Sequence, residues 1–202
     1  VLVEAGDCGA GLDQVCVDHE AAFACLAEHL LELGRRRIAF LGDCGGAPMS
    51  QQELSGIRKV LDTAGCGLPD SLVNMGNSTV RDGFQAMETL LLEGAKPDGV
   101  ICANDQVAAG ALGACKEHGL SVPADIAVTG YGGMALSIVT DPAITTMIAP
   151  RRRLGSRAAE LLYERIEGMS GGPRREILTA HAAVRCSTMR SATRGLETMF
   201  DD

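Results

Sequence analysis

Between Arg37 and Gly130 the chain keeps a steady beat of short apolar run, loop and amphipathic segment, and few folds tolerate such a beat. The runs Arg37–Leu41, Leu72–Met75, Gly99–Ala103 and Ile126–Thr129 read as buried strands. Between them lie helical segments at Gln51–Ala64 (stripe Leu54, Ile57, Val60, Leu61), Thr79–Glu93 (Phe84, Met87, Leu90, Leu91) and Gln106–His118 (Val107, Ala111, Leu112, Cys115). Gly65, Gly94 and Gly119 stop these helices. Strands joined by helices of this length form right-handed βαβ units in a parallel sheet. The fold class is therefore α/β with a parallel sheet.

The flanks carry more of the same material. Asp18 caps a helix running to Leu33, with Phe23, Leu26, Leu30 and Leu33 on one face. Arg151–Glu167 is a second flanking helix, bearing Leu154, Ala158, Leu161 and Leu162. A turn at Gly168–Pro173 leads to a last strand, Glu176–Thr179, and the polar stretch from Ser187 reads as a frayed tail or short surface helix. Val1-Leu2-Val3-Glu4 reads as a strand already under way, with no initiator Met, so the chain is expected to begin inside a domain.

Charge bears on partners. A net charge of −8 disfavours nucleic-acid binding by these residues, because they repel the phosphate backbone. With 4 Phe, 2 Tyr and no Trp, stacking platforms for bases or sugar rings are hard to assemble. None of the 8 cysteines forms a C-x-x-C pair, and several lie in apolar runs, which fits reduced core thiols in a cytoplasmic protein. No apolar run approaches the ~20 residues of a membrane helix, so no membrane partner is expected.

In an open parallel sheet, ligands bind beyond the carboxyl ends of the strands. Those ends are Gly42–Glu53, Gly76-Asn77, Asn104-Asp105 and Tyr131-Gly132-Gly133, all polar or Gly-rich. The loop Gly42-Asp43-Cys44-Gly45-Gly46 is neither a dinucleotide fingerprint nor a Walker A loop, and no nucleophile elbow or H-E-x-x-H helix exists. His19, His29, His118 and His181 are scattered, and each reads first as structural. Asp105 fits a helix N-cap, whereas the Asn104 amide suits a bound hydroxyl. Arg151-Arg152-Arg153 reads as a solvated helix face. No enzyme, cofactor or metal is implied.

Longer strings carry a resemblance. Val17-Asp18, Glu28-His29-Leu30, Leu33-Gly34 and Arg37–Gly42, then Pro97–Asp105, Gly119–Tyr131, Pro142–Thr146 and Arg153-Leu154-Gly155 together resemble the effector-binding core of lactose-repressor (LacI/GalR-type) transcription regulators. The resemblance implies a periplasmic-binding-protein-like fold of two doubly wound parallel-sheet lobes around a cleft. It assigns residues 1–36 and 149–175 to an N-terminal lobe incomplete in this chain, 37–148 to the C-terminal lobe, 176–185 to the final strand and 186–202 to a tail. It also implies an upstream helix-turn-helix domain, through which alone operator DNA is bound, and a homodimer resting partly on Ala108, Leu112 and Cys115.

The departures bear on the effector. Glu53 stands where the family usually has Arg, Gly132 where an Asp commonly follows the Gly-Tyr pair, and Ala149 where Gln is common. Gly130-Tyr131-Gly132-Gly133 with Ala149-Pro150-Arg151 is similar to the gluconate-operon repressor branch. A small sugar or sugar acid, gluconate-like, is the implied effector. Its expected contacts are Met49, Glu53, Asn77, Asn104, Asp105, Tyr131, Gly132 and Ala149. Its binding would shift a lobe equilibrium that controls DNA affinity allosterically. A solute-binding receptor of a sugar transporter shares the fold and is the alternative.

Overall fold

The computed structural model describes residues 1–4, 11–43 and 48–191. Two sheets form. The smaller holds β1 (Leu2–Val3), β2 (Gln14–Val17) and β8 (Arg175–Leu178), all parallel, in the order β1-β2-β8. The larger runs β4-β3-β5-β6-β7-β9, from β3 (Ile38–Asp43), β4 (Val73–Gly76), β5 (Gly99–Cys102), β6 (Ala127–Gly132), β7 (Thr145–Ile148) and β9 (His181–Ala183). It is parallel except for β9, which pairs antiparallel with β7. The helices are α1 (His19–Glu32), α2 (Pro48–Thr63), α3 (Val80–Leu92), α4 (Asp105–Glu117), α5 (Leu136–Val139) and α6 (Arg151–Ile166).

The expected strands and long helices all form. After α2, α3 and α4 the chain turns through Gly65, Gly94 and Gly119, at φ +70°, +78° and +72°, where a side chain would be strained. From β3 the chain crosses to β4 on one side, and from β4 it returns past β3 to β5. Right-handed crossovers then set α2 and α3 on opposite faces, with α1 beside α2 and α4 beside α3. The reversal lies between β3 and β5, so the crevice falls near Asp43 and Asn104.

The helix expected at Asp18–Leu33 starts as read, with Asp18 accepting from the Ala21 amide at 2.9 Å. It does not pack with the smaller sheet, however. Phe23 meets Phe40 edge-on at 6.1 Å, and the large apolar side chains of α1 join the core of the larger sheet. The lobe boundary drawn at residue 36 therefore moves to Val17–Asp18, and α6 remains with the smaller sheet. Three passages join the lobes: Val17–Asp18, Ala149–Pro150 and Thr179–Ala180. The tail reading also yields at its start. Ser187 is buried, its amide donating to the Ala143 carbonyl and its hydroxyl to that of Val128, while Arg185 donates to the Ile144 carbonyl. Residues 192–202, Cys8, and Cys44 to Gly46 of the Gly-rich loop lie outside the described residues.

Candidate functional site

The junction of the lobes gathers polar side chains from four elements. Glu4 extends from the end of β1 and accepts at Oε1 from the Val17 amide, 2.6 Å. Its Oε2 accepts from His19 Nε2 at 2.7 Å. His19 opens α1, is buried, and directs Nδ1 toward Glu53 Oε1 of α2, 3.9 Å away and beyond hydrogen-bond reach. Tyr131 of β6 closes the group, its ring 5.2 Å from the His19 ring and 5.4 Å from Phe23. His19 Nδ1, Glu53 Oε2 and the Tyr131 hydroxyl are buried with no hydrogen-bond partner. Buried polar atoms are nearly always paired, so neighbours that lack partners together mark a place built for something else.

The electrostatics agree. Burial pushes the Glu53 carboxyl up to about 7, with His19 pulling it down and Asp43 pushing it up. Burial and the charges of Glu4 and Glu53 raise the Tyr131 phenol as well, opposed by Arg151. Beyond Tyr131, Gly132 has φ +115°, and a Cβ there would come within 2.8 Å of the Arg151 guanidinium. Any other residue at Gly132 would crowd this cation. Asp105 is fully buried and accepts from the Met134 amide at 2.5 Å; burial raises its carboxyl against the pull of Thr146, Met134, Arg185 and Arg151.

Other expected residues serve differently. Asn104, not Asp105, is the N-cap of α4: its Oδ1 accepts from the Gln106 and Val107 amides, both at 2.9 Å, and Nδ2 donates to the Ser78 carbonyl. Asn77 donates to Asp82 at 3.4 Å, close to the start of α3. Met49 borders a cavity of about 10 Å³ with Glu4, Cys16, Val17, His19, Gln52 and Arg175, room for about one water. Ala149 is buried at the passage into α6. Ala108 and Cys115 are fully buried in the core, so they cannot carry a dimer surface, and of the residues expected there only Leu112 borders the outside. A hollow of about 760 Å³ is a groove between α1 and α2, lined by none of the unpartnered polar side chains just named. Among the described residues no group of three His, Cys, Asp or Glu side chains could hold a metal ion, and no helix is long and apolar enough to cross a membrane.

Residues 27–188 match the periplasmic binding protein-like domain model. The chain belongs to the LacI-type family of this fold. In line with this LacI-type membership, it is 37% identical over 166 residues to the HTH-type transcriptional regulator GntR of Pseudomonas aeruginosa, covering 80% of this chain and 47% of that protein. The crystal structure of the transcription regulator GntR from Chromobacterium violaceum superposes with a TM-score of 0.82 at 31% identity, covering 89% of this chain and 66% of that one. A sugar-binding transcriptional regulator of the LacI family from Escherichia coli, complexed with phosphate, gives a TM-score of 0.78 at 29% identity, covering 86% and 62%. The chain spans about half the length of the curated relatives it matches.

Sequence reasoning missed His19 and Glu4. His19 follows the passage at Val17–Asp18 and Glu4 lies just after β1 within the smaller lobe, and the string Val17-Asp18-His19 at the end of one strand was the available signal.

Proposed function

We propose that this chain is the effector-sensing domain of a LacI-type transcription regulator. It binds a small sugar or sugar acid, gluconate-like, between its lobes and thereby controls, allosterically and in the cytoplasm, a helix-turn-helix domain elsewhere in the protein. The observation that carries this reading is the trio of buried, unpartnered atoms on His19, Glu53 and Tyr131 at the lobe junction. Glu4 belongs to the smaller lobe and Glu53 to the larger, so a ligand seated there touches both and biases their closure. The similarity to regulators, one of them described as sugar-binding, supports it further. Asp105, Gly132 and Ala149 shape the far side of the cleft, while Asn104 and Asn77 act through their caps and Met49 lines the edge.

A homodimer is part of the proposal. Its support is the outward side of α4, where Ala109, Leu112 and Gly113 line a hollow of about 300 Å³ with Leu120, Val122 and Pro142.

Thermal shift against a panel of sugars and sugar acids tests the effector. A ligand at 100 times its Kd adds about 2.7 kcal/mol, a Tm rise of roughly 5–10 °C for a chain of this size. Gluconate-like acids are expected to produce it. Strong stabilisation by a neutral pyranose with none by the acids overturns the gluconate-like choice.

A further inference from the structure

We infer that the effector turns a hydrogen-bond donor, a hydroxyl or vicinal hydroxyl pair, onto Glu53, and that any carboxylate it carries is held away from that residue. This rests on the proposed reading of the cleft as an effector site and sets the orientation of whatever binds there.

The geometry begins with Glu4. A carboxylate only accepts, so the 2.7 Å contact fixes the proton of His19 on Nε2, and in the neutral ring Nδ1 presents a lone pair. Glu53 Oε2 presents lone pairs beside it, 7% of the residue being exposed. Two adjacent acceptors without donors call for a ligand that donates. The Tyr131 hydroxyl, also without a partner, supplies the group that gives or takes a further hydrogen bond. A pair of vicinal hydroxyls satisfies this set.

An anion does not. The groups that face Glu53 are His19 from α1 and Asp43 from β3, with Glu4 behind His19 and Tyr131 from β6. Among the described residues no Lys or Arg forms an ion pair with Glu53. Arg151 lies beyond Tyr131, beside Gly132, and Arg175 lies across the small cavity near Met49. A ligand carboxylate at Glu53 would be set against Glu53, Asp43 and Glu4 and against the Nδ1 lone pair of neutral His19. A sugar acid is accommodated the other way round, with hydroxyls on Glu53 and its carboxylate toward Arg151.

Proton exchange reads this directly. With the empty-cleft carboxyl held at about 7, a donor that favours ionised Glu53 expels a proton on binding near neutrality, and affinity rises with pH. An anion does the reverse. Isothermal titration calorimetry of the whole chain at pH 7, in two buffers of different ionisation enthalpy, uses D-gluconate, D-glucitol, D-glucarate and a neutral pyranose as probes. Proton release is expected with whichever of gluconate, glucitol or the pyranose binds, and it falls toward zero in Glu53→Gln. Glucarate, a carboxylate at both ends, is expected to bind at least about 10-fold more weakly than gluconate, a gap that narrows in the variant. Proton uptake by the wild type, or glucarate binding as tightly as gluconate, overturns the inference and leaves the effector-site reading standing. A pyranose that alone binds removes the gluconate reading, and its proton count still decides the orientation. No binding by any probe overturns both. The wild-type proton count needs no variant, so misfolding of Glu53→Gln cannot decide the outcome.

Discussion

Glu53 has one carboxylate oxygen with no donor, so ionising it in the folded chain is unfavourable. Below about pH 4.5 it is protonated in both states and adds nothing. As pH rises the unfolded chain ionises first, and native stability falls until about pH 7, by up to roughly 3 kcal/mol. Glu53→Gln is therefore expected to melt higher than wild type at pH 8 and to match it near pH 4.5 in differential scanning calorimetry. A wild type that melts higher at pH 8 would mean that Glu53 has a charge partner. Cysteine chemistry gives a second prediction. Cys102 and Cys115 are fully buried and their thiols are pushed up, Cys115 to about 11. An aromatic disulfide reagent should label neither until the chain unfolds, and rapid labelling in the native state would contradict the burial. At this scale the sequence showed which strand ends are polar but not who pairs with whom. His19 meets Glu4 from 15 residues away, a separation with no helical or strand period. The cap falls to Asn104 rather than Asp105 because a cap is one residue wide and both side chains suit it.

The helix pairs depend on small residues at their contacts. At Gly56 of α2 a Cβ would come within 2.2 Å of the Glu20 carbonyl of α1, and at Gly110 of α4 within 2.0 Å of the Val80 carbonyl of α3. Backbone cannot yield as a side chain does, so Gly56→Ala should destabilise by roughly 1–3 kcal/mol in urea unfolding, although alanine is the better helix former. No loss would show that α1 and α2 slide apart freely. The outward side of α4 gives another prediction. If the proposed homodimer forms through this side, Ala109→Glu shifts sedimentation from dimer to monomer, and a dimer that persists places the interface elsewhere. Long helices and the apolar runs between them were legible because period and stop glycines agree. β7, β9 and α5 were not, since three or four residues such as His181–Ala183 show no period. The packing of α1 was illegible for another reason: its apolar stripe fits either lobe, and only contact with Phe40 decides.

Across the whole molecule, one carboxylate organises the smaller lobe. Asp13 is buried and receives Arg165 of α6 at 2.7 and 2.8 Å, together with the Arg174 amide at 2.8 Å, which hold its carboxyl far below the usual range. The stability it adds is present above the ordinary carboxylate pKa and is lost as pH falls toward the depressed one. Asp13→Asn should raise amide exchange in β2 and β8 while leaving β3, β5 and β6 protected. Equal loss in both sheets would mean that the lobes unfold as one. The two-lobe architecture was legible through the family resemblance rather than through spacing, because the smaller sheet draws its strands from both ends of the chain. That same pairing sets an order of events. Cys16 and Glu176 are 160 residues apart, whereas β3, β5 and β6 meet across one helix each, or two. Closing so long a loop comes late. On a ribosome the larger sheet gains most of its strands while β8 is still unmade, and any ligand held at the lobe junction finds its seat only when synthesis of the domain is nearly finished.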